Sequence, residues 1–269
     1  MKTGIATLGM YDHARQRDAN DRLWAEIARI LRARGVAGVP DRLDRQRSVQ
    51  DSWRDPDLLF GQICGYPLIN NPSFSLRVLG LPVYDAPGCG EGTHRSFIVA
   101  RQDDADTIQA YRGRRVAIND IGSNTGMNLF RALIAGIADA HPFFGEVRET
   151  GAHRQSISAI VMGEADIAAI DAVTYAAVVG AEPELTASLR IIATTEEAAT
   201  PPFVTSRNTG IETVAALRMA LADVAADPGL ADVRRALFLR NIVPANVELY
   251  APLRTYELDA ARAGYPDLR

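Results

Sequence analysis

The chain has 269 residues, 47% hydrophobic and 23% charged, with a formal net charge of −4. That composition supplies a full core for one large domain or two modest lobes. A slightly acidic chain whose basic residues are dispersed excludes nucleic acid as an expected partner. The lack of any apolar run of about 18 residues excludes a membrane-spanning helix.

The opening residues, MKTGIATLGMYD, carry no apolar signal-peptide core and read as a first strand over 5–8. Either the protein is cytoplasmic or a leader is absent from this chain. In LWAEIARILRARG, Leu23, Ile27, Ile30 and Leu31 share one helical face, and Gly35 is a natural stop. LLFGQICGYPL, LRVLGLPVYDAPGC and HRSFIVAR read as three further strands, and 103–111 as a short helix. VAINDIGSNTGMNLFRALI is a strand, a polar turn and an amphipathic helix. GEVRETG is a strand, RQSISAIVMG a helix, and ADIAAID a short buried strand. AVTYAAVVG is a helix, LRIIATT a strand, and TPPFVTS a strand with prolines at its edge. TVAALRMALADVAAD and LADVRRALFLRNI read as helices, and the tail from Leu249 as irregular.

Strands alternate with helices, so the fold class is α/β. The pattern predicts a second lobe inserted into the first: 1–99 plus 203–269 as lobe 1 and 100–202 as lobe 2. Crossing strands near 97–100 and 203–206 would act as the hinge. In such a fold the ligand is expected in the cleft, at the carboxyl ends of the strands.

Four residues stand out in the turn of the sixth unit: Ser123, Asn124, Thr125 and Gly126. Either they cap the following helix, or they grip an anion at its N-terminus. His153 opens the next helix and can donate to an anion there, or lie at the surface. Asp171 ends the ADIAAID strand, where it can cap a helix or meet a ligand amine. Asp166, at its start, reads as a turn cap. Tyr11 and Tyr66 each follow a strand end and suit either a cleft wall or core packing. Cys64 and Cys89 lie outside any CxxC or Cys/His spacing, so no metal site is expected. Two thiols and one disulfide are both open readings for them. No GxSxG, HExxH or GxxxxGK[ST] motif is present.

The order MYD, FGQICGYPL, VAINDIGSNTGMNLFRALI, TGAHRQSISAIVMGEADIAAID, PPFVTS resembles the phosphonate-binding branch of the type II periplasmic solute-binding proteins of ABC importers. The resemblance implies a two-lobed α/β fold with a ligand cleft between the lobes, no catalytic activity and no cofactor. It implies a small anionic ligand gripped by Ser123, Asn124, Thr125 and Gly126, with donors from Tyr66 and His153. Asp171 would meet a substrate amine, and Tyr11 would close the pocket. It further implies a monomer that hands its ligand to ABC permease subunits, a periplasmic location, and a Cys64–Cys89 disulfide. Asn124 departs from the fuller Ser/Thr run of phosphonate binders. That widens the expected ligands to a sulfonate, another monoanion, or a carboxylated or heterocyclic metabolite. The competing expectation is an enzyme on the same fold, acting on a small carboxylated metabolite with His153 and Asp171 as acid and base.

Overall fold

The computed structural model describes residues 3–138 and 142–268. Its strands are β1 (Ile5–Ala6), β2 (Leu58–Gln62), β3 (Leu76–Tyr84), β4 (Thr93–His94), β5 (Ser96–Arg101) and β6 (Arg115–Ile118), then β7 (Glu146–Glu149), β8 (Ile167–Asp171), β9 (Leu189–Thr194), β10 (Ala198–Ala199), β11 (Phe203–Ser206) and β12 (Leu239–Val243). Its helices are α1 (Arg17–Ala33), α2 (Val49–Arg54), α3 (Gly65–Asn70), α4 (Leu129–Ala135) and α5 (His153–Val161), then α6 (Ala172–Ala181), α7 (Pro183–Thr186), α8 (Ile211–Ala226), α9 (Ala231–Ala236) and α10 (Pro252–Arg262). The chain forms two compact units. The first is Met1–Asp85, Gly90–Gly92 and Ala199–Leu249, and the second is Ala86–Cys89, Thr93–Ala198 and Tyr250–Arg269.

The first unit is built on a sheet of order β1-β2-β11-β3-β12. β11 runs antiparallel to both β2 and β3. Leu23, Trp24, Ile27 and Leu31 repeat at helical spacing on α1 and are buried, which is the apolar stripe a helix needs to pack on a sheet. Trp24 stacks on Phe60 of β2, and Phe60 in turn on Phe203 of β11.

The second unit has a sheet of order β7-β6-β8-β5-β9. β6 pairs parallel with β7 and β8, whereas β5 runs antiparallel to β8 and β9. All five residues of β8 are buried, the near-continuous apolar run of a strand covered on both faces. Phe97, Val99, Ala117, Ile157, Ile160 and Ile170 form the core beneath α5 and α6.

Segments 97–100 and 203–206 lie in interior strands, one in each sheet. Two expectations are corrected. LFLRNI is not helical: α9 ends at Ala236, Phe238 takes a φ of 53°, and β12 follows. A register shift between Leu239 and Asn241 puts Leu239 and Ile242 both inward, so a bulged strand imitates helical spacing. The tail is not irregular, because Pro252 opens α10, and Tyr250–Arg269 belongs to the second unit rather than the first lobe. Asn128 Nδ2 donates to Leu253 O and Arg131 Nη1 to Pro266 O, which fasten the tail there.

Asp166 also departs from its reading as a turn cap. It accepts from Arg115 through Nε, Nη2 and the backbone N–H, and from Arg101 Nη2, at 2.9–3.1 Å. These bonds tie the start of β8 to β6 and β5. Burial pushes its carboxyl up, but the hydrogen bonds from Arg115 and Arg101 outweigh burial and hold it at about 2. A folded value below the ordinary 3.8 means that the stabilisation is complete above the ordinary value and is lost as pH falls through the folded one. Asp166→Asn should therefore lower unfolding stability by roughly 1–2 kcal/mol at neutral pH, a figure discounted for the half-exposed guanidinium of Arg115. In urea melts the gap to wild type should close near pH 2; a gap constant with pH would show that the bridge is not the cause.

Candidate ligand-binding site

The parallel strands β6, β7 and β8 each deliver the chain into a helix at the same edge of the second sheet. After β6, Asp120 makes a tight turn in which its Oδ1 accepts from Gly122 N at 2.6 Å. Ser123 then caps the helix, its Oγ accepting from Gly126 N at 3.0 Å. The helix opens wide: Asn128 N donates back five residues, to Ser123 O. Such π turns are uncommon and recur at functional sites. Ser123, Asn124 and Thr125 are all buried.

Gly126 sits where a side chain would fit only if its neighbours shifted. A Cβ there would lie 1.8 Å from Asn119 Oδ1 and 3.0 Å from His153 Cε1. The bare backbone lets the turn approach both. In consequence Thr125 Oγ1 meets His153 Nε2 at 3.1 Å. His153 is the first residue of α5, and its N-cap, Ala152, offers no side-chain cap. The first-turn N–H groups of a helix have no partner within it, and α5 carries no acid in its first turn.

Asp171 behaves differently. It caps α6, with Oδ1 accepting from Thr174 N at 2.9 Å, while Oδ2 lies 2.8 Å from His94 Nδ1. Burial would raise the Asp171 carboxyl. The charge of His94 and its hydrogen bond, the more distant His153, and the Thr174 amide hold it at about 2 instead. Of its two sequence readings, Asp171 fills that of helix cap.

The structure thus brings Ser123, Thr125, Gly126 and His153 together, with Asp171 within electrostatic reach of His153. Asn124 belongs to the same turn, but its Oδ1 accepts from Asn128 Nδ2 at 3.1 Å. Tyr11 and Tyr66 belong to the first unit. Tyr11 packs edge-on against Tyr84, its centroid 5.4 Å away. With Gln62, Tyr84 and Leu239 it lines a cavity of about 20 Å³ inside that unit, room for about one water. Tyr66 lies buried in the first turn of α3, which follows the end of β2. Cys64 and Cys89 are thiols, so the expected disulfide is not formed; Cys64 belongs to the first unit and Cys89 to the second.

The profile of the periplasmic substrate-binding proteins of ABC phosphonate transporters matches residues 76–250. The chain belongs to this family. No curated protein matches the sequence. Solved structures show that the fold is that of the two-lobed periplasmic binding proteins. A binding component of an ABC phosphonate transporter from Pseudomonas aeruginosa superposes with a TM-score of 0.76 at 14% identity, over 97% of this chain and 87% of that one. PhnD1 from Prochlorococcus marinus, in complex with methylphosphonate, gives 0.73 at 11%, over 97% and 98%. XAC2383 from Xanthomonas citri, bound to chloride, gives 0.70 at 16%, over 97% and 98%.

In this family member the sequence reading missed Ser96, Thr195 and His94. Ser96 Oγ donates to Thr125 O at 2.7 Å, and Ser96 N donates to Thr195 Oγ1 at 2.9 Å. Ser96 opposes Asp171 in the β5–β8 register. Only strand pairing puts them there, and no local motif signals it.

Gly126→Ala should force Asn119 or the turn to move, costing about 1–3 kcal/mol as other overpacked sites do. Asn119→Ala should recover much of that loss in the double variant. Thermal melts of the two singles and the double measure this coupling, and strict additivity would refute the assigned clash.

Proposed function

We propose that the chain captures a small tetrahedral oxyanion, a phosphonate or a close relative, and releases it unchanged to a membrane permease. The observation that carries this reading is the uncapped start of α5, where His153 and the Thr125 hydroxyl meet. A helix N-terminus favours negative charge, and the dipole acts within the first turn. The N-terminus of α6 already has its anion in Asp171. That of α5 has no capping side chain, so the two differ in what they can still accept.

When His153 Nε2–H donates to Thr125 Oγ1, the threonine hydroxyl is turned to donate onward to an acceptor. Ser123 serves by shaping the turn, and its own oxygen is engaged with Gly126. The binding set proposed here is therefore Thr125, His153, the amide of Asn124 and the first-turn N–H groups of α5. The methylphosphonate of the Prochlorococcus marinus protein supports the ligand class. The chloride of the Xanthomonas citri protein is the simplest anion such a site would accept. Capture outside the cytoplasm by a monomer is the corresponding proposal for location and assembly. No helix among the described residues is long and apolar enough to cross a membrane.

Differential scanning of purified protein with methylphosphonate, phosphate, sulfate, acetate and amino acids tests this. A ligand at a hundredfold excess over its Kd should stabilise the fold by about 2.7 kcal/mol. For a protein of this size that is a Tm rise of several degrees. Thr125→Ala and His153→Ala should each weaken binding by about ten- to a hundredfold, the worth of a charged hydrogen bond. Phosphorus NMR should return the phosphonate unaltered. A response to amino acids alone, or an oxyanion response untouched by both variants, would overturn the reading.

A further inference from the structure

Thr125 is held at two points. Its hydroxyl meets His153 Nε2 at 3.1 Å, and its carbonyl accepts from Ser96 Oγ at 2.7 Å. Ser96 opens β5 and is 0% exposed, so neither partner of that bond can turn to solvent instead, and the bond is strong for a neutral pair. Ser96 is itself fastened through both of its backbone groups. Its N–H donates to Thr195 Oγ1 at 2.9 Å, and its carbonyl accepts from Thr195 N at 3.0 Å. The Thr195 hydroxyl donates its own proton to Glu196 O at 3.0 Å, so what it offers Ser96 N is a lone pair. All of these residues belong to the second unit.

The turn that Ser96 grips is wider than an α-helix, with Asn128 N reaching five residues back to Ser123 O. Such a turn persists only where its surroundings hold it against the commoner α spacing. Ser123 Oγ holds it from within, on Gly126 N, and Ser96 holds it from a neighbouring strand, on the Thr125 carbonyl. A return to α spacing would re-aim the Thr125 peptide and break the bond to Ser96. We infer that Ser96, locked in place by Thr195, is a positioning residue for anion capture: it keeps the widened turn at Thr125 set so that the threonine hydroxyl stays at His153. Its own hydroxyl is engaged by the Thr125 carbonyl, so it acts through Thr125 rather than on the ligand. This inference rests on the oxyanion reading above.

Calorimetric titration with methylphosphonate and with inorganic phosphate tests this in wild type, in Ser96→Ala, Thr125→Ala and their double variant, and in Thr195→Val and Thr195→Ser. Ser96→Ala should weaken binding about tenfold. In the Thr125→Ala background the same substitution should cost less than about twofold more, because the hydroxyl that Ser96 positions is already gone. Thr195→Val, which removes the acceptor for Ser96 N, should weaken binding about threefold or more, and Thr195→Ser, which keeps it, should bind within about twofold of wild type. In spectra of the labelled apo protein, Ser96→Ala should shift both the Thr125 carbonyl carbon and the His153 ring nitrogens. A Ser96→Ala protein that melts lower but binds like wild type would overturn the positioning role. So would a loss repeated in full in the Thr125→Ala background, or a shift at Thr125 with none at His153. If Ser96→Ala does not fold, equal affinities of Thr195→Val and Thr195→Ser overturn it instead. Wild type that binds neither anion would overturn the oxyanion reading, and the role of Ser96 in capture with it.

Discussion

Parallel pairing of β6 with its neighbours β7 and β8 is the constraint on which the second unit depends. Parallel strands carry their carboxyl ends to one edge, and each must then turn into a helix to return. Three helix N-termini therefore gather at one place, with their partial positive charges adding rather than cancelling. Such an arrangement is electrostatically costly unless negative charge is supplied. The chain supplies one carboxylate, Asp171, which is buried and ionised at the start of α6. It provides serine for the turn before α4 and no capping side chain for α5.

That uneven distribution leaves the start of α5 without a capping side chain or a carboxylate in its first turn. A carboxylate at all three starts would give a more self-sufficient unit with nothing left to attract an anion. A carboxylate at none would leave His94 buried beside an uncharged neighbour. The Asp171–His94 contact answers the buried histidine within the protein, while Thr125 and His153 meet at the start of α5, whose first turn carries no acid. Gly126 makes the arrangement possible sterically, since the turn, Asn119 and the His153 ring converge on the volume a methyl group would take.

Much of this was legible in the sequence, because the signals are local. The GSNTG turn, the histidine after Gly151, and the run ending in Asp171 each lie at a strand-to-helix junction readable from hydrophobic period and turn residues alone. The ambiguities that sequence left open were resolved by contacts distant in the chain. The second contact of Asp171, beyond its local cap on Thr174 N, is with His94, more than seventy positions away. Whether the tail from Leu249 was ordered depended on Asn128 and Arg131, which hold it from a different helix. The strand of Leu239 and Ile242 was misread because a bulge gave it a helical spacing.

The same distinction between local and distant information bears on Asn124. Read alone, asparagine in a hydroxyl-rich turn looks like a weakened anion grip, and it pointed toward monoanions and heterocycles. The turn's chemistry, however, is not set by the turn. A donor with no acceptor capacity, Arg131, and a carbonyl with no donor capacity, Leu253 O, orient Asn128, and Asn128 orients Asn124. The orientation of the Asn124 side chain is therefore set by Asn128, Arg131 and the Leu253 carbonyl, from outside the turn in which it sits.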